Sequence, residues 1–355
     1  MTINLKRRTV LTGAAAAASL ASWPLIPTSA RAQKAEHTMM LGYSFAAASE
    51  KYGATAIEHF KELAEKYSNG RLAVDVYAGG ILGDQAVMVQ KVQQGVIQAT
   101  QVSMQNFTQF SPAYNVMDFP YMFNGSRDVF EKFLDQPFLM ESAFGKEAES
   151  KGLKILPGMW ANFGMRSIGV SKKKDADLRR PGDLKGVKIR VTNSKVEQQA
   201  FALTPGSPVS INWGETYQAM QQGTCDALNV AMAPLAAARI NETMSSCTFI
   251  DATPNAHVTA MNMKWFNGLP SPVRDAILRA AMESWAWQKA EQRKIDERTL
   301  AEWKTAGMKV IANTPEERKE WIAAIGHQRP EWDQWKDRFG RDLYQKTLEV
   351  IGKIA

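Results

Sequence analysis

The chain has 355 residues, 45% of them hydrophobic, with a formal charge of +7 at pH 7. That length suits two lobes of ordinary domain size, each with its own core, and two well-separated cysteines, Cys225 and Cys247, exclude a small scaffold built on disulfides. Residues 1–32 hold Lys6, Arg7, Arg8 and Arg31 and no acid, so without them the charge falls to +3, too modest a balance to indicate a nucleic-acid partner.

The N-terminus reads as an export signal: Lys6-Arg7-Arg8, an alanine-rich apolar run after Thr12, and the small-residue site Ala30-Arg31-Ala32 with cleavage expected before Gln33. The arginine pair suits a twin-arginine address, with general secretion as the alternative; either route leads to the periplasm. No later stretch approaches the roughly 20 apolar residues that span a bilayer, so the mature product is not expected to be membrane-embedded.

An extended run at Met39–Tyr43 is followed by a predicted helix with Ser49 as N-cap and Ile57, Phe60, Leu63, Ala64 and Tyr67 at helical spacing, ended by Gly70. Leu72, Val74 and Val76 alternate as a strand, Asp84 caps a second helix, and Val96–Val102 reads as a third strand. This β-α-β-α-β order predicts an α/β fold with mixed, mostly parallel sheets and ligand contacts at the carboxyl ends of strands. The pattern restarts after Gly158, with a strand around Arg166, a strand ending at Arg190, helices at 194–203 and 214–223, and a short strand through Asp226. From Ser271, with Pro272 at the first helical position, a helical pattern runs to about Gly307, and at about 1.5 Å per residue it exceeds the width of one lobe. Thr314-Pro315-Glu316-Glu317 opens a further helix.

Arg166 and Arg190 each sit among apolar neighbours in a predicted strand. A half-buried arginine offers its guanidinium to a carboxylate, a phosphate or a carbonyl, so the residue types leave open an internal ion pair or an anion site. Chemistry of other kinds has no anchor: no dinucleotide or phosphate loop, no nucleophile elbow and no zinc helix is present.

The wording Asp183-Leu184-Lys185-Gly186-Val187-Lys188-Ile189-Arg190-Val191 followed by Asn193 resembles the signature of the solute-binding proteins of TRAP (tripartite ATP-independent periplasmic) transporters, the DctP family. Gly42 to Tyr52, Gly80-Ile81-Leu82-Gly83-Asp84, Gly95-Val96-Ile97-Gln98, Phe119-Pro120-Tyr121-Met122-Phe123 and Trp213-Gly214-Glu215-Thr216-Tyr217 extend the likeness over nearly all of the mature chain.

The resemblance implies a two-lobed periplasmic-binding-protein fold (type II-like) with a long helix spanning both lobes. Lobe I is expected over 33–163 plus 258–298 and lobe II over 164–257 plus 299–355. It implies a receptor, not an enzyme, that takes a small organic acid and delivers it to the two TRAP membrane subunits. An exported enzyme acting on such acids, or a binding protein of another transporter class, is the alternative. Arg190 is implied as the bidentate clamp on the ligand carboxylate and Arg166 as a second contact. Asn193 offers an amide, Trp213 an aromatic wall, and Ser44, Gln85, Ser103, Trp160 and His257 match further lining positions. Where relatives that bind 2-oxoacids carry a metal-assisting Glu-Trp pair, this chain has Asn229-Val230. No metal and no cofactor are therefore expected, and Val230 with Trp213 points to an acid with an apolar or aromatic portion.

Overall fold

A computed structural model describes residues 35–46 and 55–355. The signal segment 1–32 and Ser49 lie outside the described residues, but the first helix starts at Ile57 with Ala56 in the left-handed conformation at its N-cap, so Ser49 does not cap it as expected. Two six-stranded sheets form the frame. The first contains β1 (His37–Tyr43), β2 (Leu72–Tyr77), β3 (Ala99–Ser103), β4 (Leu153–Ile155), β5 (Ala161–Met165) and β11 (Pro254–Asn262). The second contains β6 (Ser167–Ser171), β7 (Lys188–Val191), β8 (Ser207–Ser210), β9 (Ala227–Val230), β10 (Met244–Phe249) and β12 (Lys309–Ala312).

The β-α-β-α-β opening is present, with helices Ile57–Tyr67 and Gln85–Gln93 between β1, β2 and β3. The first helix shows why: Ile57, Phe60 and Ala64 recur at helical spacing and are buried. In the second, the Asp84 carboxylate accepts the Val87 N–H at 2.9 Å, a hydrogen bond that closes the helix start. The sheets are less parallel than the alternating elements suggest. The β1–β2, β1–β3, β10–β12, β7–β8 and β7–β9 pairings are parallel, and every antiparallel pairing involves β6 or β11. Those two strands follow the two passages in which the chain goes straight from one sheet to the other with no helix between, whereas the third passage, to β12, runs through the long helix and ends parallel to β10.

At the first crossing the single strand expected around Arg166 is in fact two, β5 and β6, with Arg166 at the junction. Gly164, at φ +91°, supplies the backbone turn that a side chain would strain, and its N–H donates to Asn162 Oδ1 at 3.1 Å. The long helix Ser271–Thr305 packs on helix Ile57–Tyr67 and β5 on one side and on helix Met232–Ala237 and β12 on the other, so it spans both lobes. Arg127 ties this helix to the crossing: its guanidinium reaches Asp296 at 2.5 Å and Glu131 at 2.8 Å, and Glu131 also accepts from Asn162 at 3.1 Å. Among the described residues no helix is long and apolar enough to cross a membrane. Cys225 and Cys247 are buried and unbonded.

Candidate functional site

Two cavities open between the sheets and share Gln85, Asn106 and Trp213 as a common wall. The inner one is lined by both arginines together with Ser103, Thr192, Val230 and His257. It leaves about 20 Å³ in which the centre of a water molecule can sit, while the outer one leaves about 260 Å³.

Arg190 comes from β7, whose residues Ile189–Val191 are buried in the second sheet. Its Nε and Nη2 donate to the Ile211 carbonyl at 3.0 and 2.8 Å, and the guanidinium carbon stands 5.9 Å from the Trp213 ring. Nη1 has no hydrogen-bond partner among the described residues. Burial pulls this guanidinium down to about 10, a value that still leaves it charged at neutral pH. A buried cation answered by one carbonyl, with an amino group free beside a cavity, is suited to an anionic oxygen.

Arg166 is held differently. Its Nη1 donates to Glu197 at 3.2 Å and to the Asn229 carbonyl at 2.7 Å, and its Nη2 donates to Gln105 at 2.9 Å. Only Nε, itself buried, lacks a partner. Glu197 stands in the first turn of helix Lys195–Ala202; Asn229 Nδ2 donates at 2.8 Å to the same oxygen as Arg166, and the other oxygen accepts from the Thr192 N–H at 2.8 Å and from the Thr192 hydroxyl. The helix cap Ser194 donates to Asp118 on the other side of the cleft, and Asp118 accepts from Gln105 at 2.9 Å. Burial, aided by the charge of Glu197, pushes the Asp118 carboxyl up to about 7. The bonds that bridge the two sides include Arg166 to Gln105, Ser194 to Asp118, and the Asn193 N–H to Asn106 Oδ1 at 3.2 Å.

On the facing side Gln85 acts as a hub. Its amide nitrogen donates to Ser44 at 3.0 Å, and its oxygen accepts from the Ser103 N–H at 2.9 Å and from Asn106 at 3.0 Å. His257, on β11, lies 5.1 Å from the rings of both Phe45 and Phe163. Burial and the nearby Arg166 hold it down to about 3, so it is neutral at any physiological pH. The sign of its effect on stability follows. Between pH 6.5 and 3 the unfolded chain takes a proton that the folded one refuses, so stability falls as pH falls, by about 1.4 kcal/mol per unit. Asp118 works in the opposite sense, because its raised value adds stability at low pH that is lost as pH rises through about 7. Urea denaturation of His257→Gln against the parent, which share Asp118, is therefore expected to show a shallower acid-side loss in the variant; parallel pH profiles would refute a buried neutral imidazole.

Of the residues singled out in the sequence, Arg166, Arg190, Val230, Trp213, Ser103, Gln85 and His257 border the inner cavity, and Ser44 and Asn193 border the outer. Asn229 stands behind the inner wall and braces Glu197. Trp160 is packed in a hydrophobic core among buried residues and borders neither cavity. Sequence reasoning passed over Thr192, Asn106 and Asn255 at the wall, and Gln105, Asp118 and Glu197 behind it. Only Glu197 carried a local signal, the Ser194-x-x-Glu spacing of a helix start. Among the described residues no cluster of three His, Cys, Asp or Glu is arranged to hold a metal ion, and the charged groups bordering the inner cavity are guanidiniums.

Residues 41–336 match the model of the family described as bacterial extracellular solute-binding protein, family 7 (DctP). The chain is 26% identical over 289 residues to the C4-dicarboxylate-binding periplasmic protein DctP of Vibrio cholerae, covering 80% of this chain and 82% of that one. It is 26% identical over 304 residues to the 2,3-diketo-L-gulonate-binding periplasmic protein YiaO of Escherichia coli, covering 84% and 87%. In fold it is similar to the crystal structure of the sugar acid binding protein DctPAm from Advenella mimigardefordensis in complex with galactonate, with a TM-score of 0.83, 23% identity, and coverage of 91% of this chain and 100% of that one. The chain belongs to the DctP family of bacterial extracellular solute-binding proteins.

Proposed function

We propose that this protein is a periplasmic receptor that closes its two lobes on a carboxylate-bearing organic acid and presents the loaded form to the membrane subunits of a TRAP-type secondary transporter, without catalysing a reaction. The observation that carries this reading is the buried Arg190 guanidinium, with Nη1 unpartnered beside a cavity between the lobes. Its fork matches two carboxylate oxygens, and its charge is not lost at neutral pH. Arg166 is assigned a second role as the strut between lobes, because its Nη atoms are already bonded to protein.

Lobe I is assigned 33–163 plus 258–298 and the end of the chain, and lobe II 164–257 plus 299 to about 332, a change from the 299–355 expected of lobe II in the sequence. The changes of sheet between Met165 and Ser167 and between Phe249 and Pro254 support crossings near those positions. Helices Asp333–Phe339 and Arg341–Ile354 pack against 112–118 and helix Arg127–Leu134, which favours assigning the last part of the tail to lobe I.

The inner cavity is too small to admit an acid from outside while Arg166–Gln105, Ser194–Asp118 and Asn193–Asn106 hold the sides together, so entry requires the lobes to part. Contacts from both lobes then form together only on closure, and the ligand shifts the population toward the closed state by its preference for it. A thermal-shift screen tests the reading. At a hundredfold excess over its dissociation constant, a carboxylate ligand is expected to stabilise by about 2.7 kcal/mol, while neutral sugars and amines have no effect. Stabilisation by a sugar or an amine with no acid active would reject it.

A further inference from the structure

Resting on the carboxylate-receptor reading, we propose that the cleft accepts a singly charged acid with an uncharged, hydroxyl-bearing tail and discriminates against the matching diacid. The charges around the inner cavity allow for one carboxylate. Of the two guanidiniums, Arg166 is paired with Glu197 at 3.2 Å, with both side chains nearly inaccessible, whereas Arg190 is hydrogen-bonded only to the Ile211 carbonyl and feels the Glu197 charge from further off. Asp118, turned toward Ser194 and Gln105, can add only negative charge.

A ligand whose first carboxylate fills the small inner space must send its remaining atoms past Gln85, Asn106 and Trp213 into the outer cavity. There the charged side chains are acids. Asp84 and Glu215 line the wall, and among the described residues no lysine, arginine or histidine does. Asp84 accepts from the Val87 N–H, and Glu215 has no side-chain partner among the described residues. A second ligand carboxylate would stand beside two exposed acids and, among the described residues, meet no counter-charge. The rest of the wall, Ser44, Asn106, Gln109, Asn193 and Asn212, presents donors and acceptors together, the pairing that suits hydroxyl groups. This polar lining differs from the apolar tail that Val230 and Trp213 suggested in the sequence.

Calorimetry at pH 7.5 with acids matched in chain length decides the matter: glycerate against hydroxymalonate, threonate against tartrate, and gluconate against glucarate, with hexanoate as the apolar comparison. In each pair that binds, the monoacid is expected to bind at least tenfold more tightly. The variant carrying Asp84→Asn and Glu215→Gln is expected to narrow that ratio severalfold, with asparagine still able to cap its helix. A diacid that equals or exceeds its monoacid, a ratio that the double variant leaves unchanged, or hexanoate as the tightest ligand would overturn the inference while leaving the receptor reading intact. Binding of no acid in the series, with a neutral sugar or an amine bound instead, would reject the receptor reading and the inference with it.

Discussion

Arg190→Ala is expected to weaken binding of the cognate acid by about thirtyfold to several thousandfold, the equivalent of roughly 2 to 5 kcal/mol for removing one side of a buried charge pair. The size of the effect comes from the surroundings. Arg190 is 2% exposed, so a carboxylate bound beside it gives up its hydration and has no water to fall back on once the guanidinium is gone. Arg190→Lys is expected to lose most of the affinity as well, since an ammonium cannot hold the Ile211 carbonyl with two donors and still offer a planar pair to the ligand. Calorimetry on the parent and both variants measures this, with the melting temperature of each unliganded protein as the folding control. An alanine variant that melts normally and binds within a fewfold of the parent would show that Arg190 is not the clamp.

Glu197→Ala is expected to be among the most destabilising single changes, at about 3 to 5 kcal/mol, because it leaves Arg166 charged, buried and short of its counter-ion. Besides Arg166, the Thr192 N–H and hydroxyl and Asn229 Nδ2 all converge on this carboxylate and would be orphaned together. Removing both charges is a different matter, since a buried ion pair replaced by apolar groups of similar volume is often neutral in stability. The pair Arg166→Met with Glu197→Met is therefore expected to recover much of what either single change loses. Equilibrium urea denaturation of the parent, Arg166→Met, Glu197→Met and the double variant closes the cycle, with Glu197→Ala measured beside it. A loss below about 1 kcal/mol for Glu197→Ala, or strict additivity of the two single changes, would contradict a coupled buried pair.

Legibility from sequence followed the range of the interactions. The opening β-α-β-α-β units and the long helix Ser271–Thr305 were visible because helical and strand periodicity is local, and because Asp84, Pro272 and the Thr314 to Glu317 capping box mark helix starts within a few residues. The antiparallel course of β6 and β11 was not visible, since strand direction depends on which sheet the chain returns to. The strand expected around Arg166 proved to be two strands meeting at a lobe crossing, a change of sheet that alternation of apolar residues does not record.

In the site, Arg166 and Arg190 stood out as charges among apolar neighbours, and the structure brings both to one cavity but divides their partners: Arg190 keeps an open donor, whereas Arg166 is taken up by Glu197, Asn229 and Gln105. Gln105 and Asp118 gave no signal, because a buried polar residue looks like a surface one until the element opposite it is known. Trp160 shows the converse: an aromatic ring expected at the wall is a core residue, and composition does not separate the two.

A crystal structure of the protein with the tightest-binding acid from the matched series tests the central claim most directly. The expected result is a carboxylate oxygen within about 3 Å of Arg190 Nη1, in line with charge-assisted hydrogen-bond geometry, with both lobes in contact with the ligand. A ligand bound with its carboxylate elsewhere, and Arg190 still bonded only to the Ile211 carbonyl, would contradict it.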